Sequence, residues 1–267
     1  MLDGISVRYD RSHMMVSDAG VRFFHRHGWL IVRRAIGPRR LAELTRAFDR
    51  VMPAEQSDAP GATSDAAKGR QIIYVRGRDS ALHAWALDRA LGRLVANLLG
   101  WRAVRLLQDV LLLKPPRTGQ RIKWHQDYGY IASPLEAPSA VSIRLALTAE
   151  NVTTGCLQVL DRSHARGLVD ETSRVLGPVR PLALRPGDLS IHHCLTLHWS
   201  GRNRSPHPRK TIILFAFDGD CRLDPHRGPV AGYPTEPGKR LLTRSFPVMF
   251  ARKRRAPAAP RRARGRR

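Results

Sequence analysis

The chain has 267 residues, 42% of them apolar, and a formal charge of +24 from 46 Lys and Arg against 22 Asp and Glu. That length allows one large domain with a substantial core, or at most two small ones. No apolar run approaches the ~20 residues a membrane helix needs. The charged start, MLDGISVRYDRSH, lacks the apolar stretch of a secretory signal. Three widely spaced cysteines (Cys156, Cys194, Cys221) argue against a disulfide framework and form no C-x-x-C zinc motif. The expectation is a reduced, cytoplasmic protein with no membrane association. Nine of the basic residues crowd the last 16 positions, so residues 251–267 read as a disordered basic tail after a single domain over 1–250. Such a tail could hold nucleic acid or an acidic partner. Only six of the 46 basic residues are Lys, however, and that is the signature of GC-rich coding. Specific nucleic-acid binding is therefore not expected.

In chain order, Ser17-Asp18 cap a short amphipathic helix, VRFFHRHG, stopped by Gly28. WLIVRR reads as a strand. After Gly37-Pro38, the segment RRLAELTRAFDRVM spaces Leu41, Leu44, Ala47, Phe48 and Val51 as a second helix does. Residues 53–70 form a polar loop, a candidate lid. QIIYV follows as a strand, and SALHAWALDRALGRLVANLLG predicts one long helix ended by Gly100. From 101 onward the period changes. VRLLQDVLLLK, AVSIRLALTA, CLQVL, DLSIHHCLTLH and KTIILFAF are short β-rich runs separated by PPRTG, NVTTG, RPGD and RNRSPHP. The pattern predicts a mainly β fold: a double-stranded β-helix (jelly roll, cupin-like) with its β core over about 101–218, braced by N-terminal α-helices.

The chemistry is concentrated in Trp124-His125-Gln126-Asp127. Alternate side chains of a strand share a face, so His125 and Asp127 project together while Gln126 turns away. An imidazole nitrogen and a carboxylate oxygen make two ligands of a facial triad, the donor set preferred by non-haem iron(II) oxygenases. An H-x-D pair alone is common, and the distal segment supplies what it lacks. His198 ends an apolar-alternating run, and Arg209 opens the next strand eleven residues later. A guanidinium grips a carboxylate through two charge-assisted hydrogen bonds. Ser200 would share the face of His198. By the same alternation His192 shares that face but lies six residues away, and neither it nor His193 is expected to be a ligand. Trp124 and Trp199 flank ligands on the opposite face, where core packing is expected. Tyr128 and Tyr130 could line the cavity or pack beside it. Asp188 should satisfy the amides of a tight turn.

These segments together resemble the phytanoyl-CoA dioxygenase family of iron(II)/2-oxoglutarate-dependent oxygenases. The motifs that carry the likeness are Lys114-Pro115, WHQD at 124–127, TTGCLQVLDRSH at 153–164, Pro186-Gly187-Asp188, HWSGRNRS at 198–205, and Arg209. It spans roughly 15–218, with the sharp motifs within 106–218. The resemblance implies that His125, Asp127 and His198 bind iron(II), and that Arg209, assisted by Ser200, pairs with the distal carboxylate of 2-oxoglutarate. Gln108 and Lys114 become candidates for lining the cosubstrate pocket. O2 is the co-reactant, and a carboxylate at 127 favours hydroxylation or desaturation over halogenation. Asp161-Arg162 and Thr154 depart from the family pattern, which bears on substrate-side loops rather than on the metal. The substrate would be a small molecule, with compounds of secondary metabolism among the compatible classes. Two other readings stay open. One is a catalytically silent jelly-roll protein whose basic tail holds nucleic acid or an acidic partner. The other is a zinc-dependent cupin-like isomerase or hydrolase.

Overall fold

The computed structural model describes residues 9–10, 13–52, 62–63, 70–117, 121–132, 135–169, 176–222, 224 and 246–252. The two-residue strands β1 (Tyr9–Asp10) and β2 (His13–Met14) pair first. α1 (Asp18–His27) starts as read from the sequence, with the Ser17 side chain accepting from the Gly20 amide, and it stops at Gly28, which takes the left-handed φ of 79°. A Cβ at Gly28 would sit 2.3 Å from His164 Nδ1, so both the turn and the packing require glycine there. β3 (Trp29–Val32) and α2 (Pro38–Val51) follow, with Pro38 in the first turn of α2. Then come β4 (Ala62–Thr63) and β5 (Arg70–Ile73).

The single helix expected over the next segment is two helices, α3 (Ser80–Ala86) and α4 (Arg89–Leu99). Asp88 breaks it. Its backbone is extended and its carboxylate accepts from the Ala90 and Leu91 amides, so it caps a new helix where unbroken periodicity reads as one.

The β part comprises β6 (Ala103–Lys114), β7 (Ile122–His125), β8 (Ala140–Ala146), β9 (Leu157–Leu160), β10 (Val179–Pro181), β11 (Leu189–His193), β12 (His198–Ser200), β13 (Arg209–Asp218) and β14 (Val248–Ala251). The larger sheet has the order β3-β11-β8-β13-β6-β5-β4, with β14 also on β6. The smaller has the order β10-β9-β12-β7, and all pairings are antiparallel. This is the double-stranded β-helix braced by helices that the pattern predicts. β14 carries β structure past 218 and includes Ala251. Residues 253–267 of the basic tail, and 53–61 and 64–69 of the polar loop, lie outside the described residues.

Strand alternation sorts the side chains into layers. On β13, Ile212, Leu214 and Ala216 join the core shared with the helices, whereas Ile213, Phe215 and Phe217 point between the sheets. On β8, Val141, Ile143 and Leu145 face the helices, which leaves Ser142 and Arg144 facing the cavity. Leu189 and Ile191 of β11 likewise leave Ser190 and His192 on the other face. Polar residues thus occupy the inner face of an apolar sheet. No helix among the described residues is long and apolar enough to cross a membrane.

Candidate metal centre

β7 and β12 run antiparallel in the smaller sheet with His125 opposite His198, so two imidazoles distant in sequence face each other with ring centroids 4.1 Å apart. β7 ends at His125, and Asp127 projects from the turn beyond it. Gln126 points the other way, as expected. Its Nε2 donates to Gly167 O and Leu195 O, and its Oε1 accepts from the Val169 amide. Asp127 Oδ1 lies 3.6 Å from His125 Nε2 and 3.5 Å from His198 Nε2. One ligand atom from each of the three residues falls within 4.8 Å of the others, the one such cluster among the described residues.

The imidazoles are aimed for ligation. His125 Nδ1 lies 2.8 Å from Lys123 O, and His198 Nδ1 lies 2.8 Å from Thr196 O. A carbonyl only accepts, so each Nδ1 carries the proton and each Nε2 presents a lone pair to the cluster. Burial, then the electrostatic effect of the neighbouring His125, pushes His198 well below the ordinary imidazole range. Burial alone would raise the Asp127 carboxyl. His198, His192 and His125 overcome it and hold the group far below the usual carboxylate range. Asp127 Oδ2 is taken by the Ser142 hydroxyl and by His192 Nε2 at 3.0 Å, which leaves Oδ1 toward the histidines.

Sequence reasoning missed Ser142 and His192. It set His192 aside because six residues separate it from His198. The run 188–198, which looks like one strand, instead leaves the larger sheet after His193 and enters the smaller one at His198. The crossing brings the two rings to 4.5 Å. The available signal was a Ser, an Arg and a His at alternating positions within otherwise apolar strands.

The cavity between the sheets has a volume of about 510 Å³. All three cluster residues line it, along with Gln108, Ser142, Arg144, His192 and Ser200. Trp124 and Trp199 do not pack in the core as expected. Both are half-buried, with ring centroids 5.9 Å apart, and both are among the residues lining the cavity, as is Tyr130. Tyr128 packs inward, its hydroxyl donating to Leu135 O. Asp188 accepts from the Arg34 and Arg185 amides and pairs with Arg33, the turn role read from the sequence.

Arg209 and Lys114 lie opposite each other on β13 and β6, both fully buried, and neither forms part of the cavity wall. Lys114 Nζ donates to Ser200 Oγ at 2.6 Å and to Gly201 O. Burial, then the charges of Arg209 and Arg144, lowers Lys114 to about 6. Arg209 Nη1 donates to Gly155 O, while Nε and Nη2 have no partner among the described residues. A buried guanidinium with two unmet donors suits a carboxylate. The donor set and this orphaned fork therefore fit iron(II) and a dicarboxylate.

Comparison with known proteins agrees. Residues 24–211 match the family model described as phytanoyl-CoA dioxygenase (PhyH). Phytanoyl-CoA dioxygenase 1 of Oryza sativa subsp. japonica is 28% identical over 134 residues, covering 45% of this chain and only 47% of that protein. Ectoine dioxygenase of Bordetella bronchiseptica is 23% identical over 240 residues, 77% of this chain and 76% of that one. The non-haem, alpha-ketoglutarate-dependent carbocyclase SnoK from nogalamycin biosynthesis superposes with a TM-score of 0.74 at 22% identity, covering 87% of this chain and 96% of its own. The family match spans most of the chain, and the His-Asp-His cluster lies within it. The chain is an iron(II)- and 2-oxoglutarate-dependent dioxygenase that belongs to the phytanoyl-CoA dioxygenase family.

Proposed function

We propose that His125, Asp127 and His198 ligate the iron, that Arg209 with Ser200 binds the distal carboxylate of 2-oxoglutarate, and that the reaction hydroxylates an aliphatic carbon of a small molecule. The observation that carries this reading is the convergence of three ligand atoms, within 4.8 Å, on the wall of the cavity. Iron(II) and 2-oxoglutarate, when bound, supply O2-dependent oxidation of a C–H bond to C–OH with release of succinate and CO2.

The chain's own residues prepare that chemistry. Neutral His125 and His198 with anionic Asp127 put one negative charge on the metal side. Iron held by these three residues would keep room for a chelating 2-oxo acid and for O2. Gln108 and Lys114 complete the cosubstrate end: Gln108 from the cavity wall, Lys114 through its bond to Ser200. Trp124, Trp199 and Tyr130, among the residues lining the cavity, would offer flat faces to an organic substrate. A compound of secondary metabolism is consistent with the ectoine and nogalamycin chemistries named for the relatives. The three thiols are free, two of them buried, which supports a cytoplasmic setting.

The test is anaerobic. Iron(II) followed by 2-oxoglutarate should give a visible metal-to-ligand charge-transfer absorption, and a flat spectrum would sink the reading. Arg209→Ala should weaken 2-oxoglutarate binding about 10- to 100-fold while changing iron affinity little. Equal losses of both would count against its role.

A further inference from the structure

Arg144 stands on the inner face of β8, next to β13, and the residue is 5% exposed. Unlike Arg209, it lines the cavity. Its Nη2 approaches Glu150 Oε2 at only 3.4 Å, a weak contact, and its Nε is buried with no hydrogen-bond partner among the described residues. Glu150, itself buried, accepts from Thr211 Oγ1 at 2.6 Å, and Thr211 is two residues along β13 from Arg209. Both guanidiniums act on this one carboxylate: burial would raise Glu150, and Arg209 and then Arg144 hold it ionised.

The charges here do not balance. Two guanidiniums, which stay protonated at neutral pH, face one carboxylate. A buried uncompensated positive charge with unmet donors is costly, and one further carboxylate would neutralise it. The other cations lining the cavity, Arg121 and Lys123, are exposed, and Arg121 lies over the Trp199 ring. Arg144 belongs with Arg209 rather than with them.

We propose that Arg144 is a second guanidinium of the cosubstrate anchor, so that the distal carboxylate of 2-oxoglutarate is held from two adjacent strands. This inference rests on the functional reading above, since it names a further residue of the same site. Its consequence is selectivity: Arg144 should matter for a 2-oxo acid that ends in a carboxylate and not for one that lacks it.

The experiment compares 2-oxoglutarate with pyruvate, which keeps the chelating 2-oxo acid but has no distal carboxylate. Binding to the iron(II)-loaded protein is measured anaerobically by calorimetry and by the charge-transfer absorption. Arg144→Met should lose about 10- to 100-fold in 2-oxoglutarate affinity with pyruvate and iron affinities unchanged, and Arg144→Lys should fall between. If burying Glu150 without Arg144 prevents folding, the Arg144→Met/Glu150→Gln double variant removes both charges and carries the same expectation. Unchanged 2-oxoglutarate affinity, or equal loss for both acids, overturns the proposal. Unchanged affinity for both acids together with a loss of substrate binding would assign Arg144 to a substrate anion instead, and also overturns it. A wild-type protein that binds neither acid overturns the functional reading and this inference together.

Discussion

Asp127 has two oxygens with different duties. Oδ2 is committed to Ser142 and His192, and that commitment turns Oδ1 toward the two histidines. A ligand oriented before the metal arrives loses less freedom on binding. His192→Leu should therefore raise the iron(II) dissociation constant about 10- to 100-fold, measured by calorimetry under anaerobic conditions. His192→Gln, which retains a donor, should recover part of the loss. Metal affinity equal to wild type in the Leu variant would remove His192 from this role. Lys114, buried against Ser200, makes a separate statement. The unfolded chain keeps its proton up to about pH 10.4, whereas the folded chain releases it near 6. Between those values the unfolded state binds more protons, so this group lets stability rise with pH. The stability of Lys114→Met minus that of wild type should fall as pH rises through this window, by at most about 1.4 kcal/mol per pH unit. Denaturant midpoints at a series of pH values read it directly. A difference that does not change with pH would mean Lys114 keeps its proton in the fold.

At the scale of elements, α1 and α2 were legible because cap, periodicity and stop agree: Ser17 and Gly28 bound the first, Gly37-Pro38 open the second. The α3–α4 break was not, because Leu87 and Asp88 interrupt no apolar spacing and only the capping bonds of Asp88 show the chain restarting. Asp88→Ala should cost about 1 kcal/mol of stability, a drop of about 2–4 °C in Tm. Cosubstrate affinity should be untouched, since α4 packs on the sheet face away from the cavity. A Tm equal to wild type would show that the cap contributes nothing. The run 188–198 failed for a related reason. Continuous alternation describes a strand but does not say which sheet it is in, and here one run serves two.

For the whole molecule, the sequence by itself determined the mainly β class, the helical brace and the three residues of the metal cluster. Each is encoded locally: period 2 against period 3.6, the H-x-D spacing, and a distal His followed eleven residues on by an Arg. Tertiary structure decided what no spacing reports. Folding one sheet over the other set His192 against Asp127 and put Trp124 and Trp199 among the residues lining the cavity. It also brought Arg144 to the same buried carboxylate as Arg209, from a strand 65 positions earlier in the chain. The physical reason is the pleat. Alternation fixes which residues share a face, but whether that face meets helices or cavity depends on the layer packed against it. The members of the His-Asp-His cluster were therefore readable in one dimension, and the groups packed around them only in three.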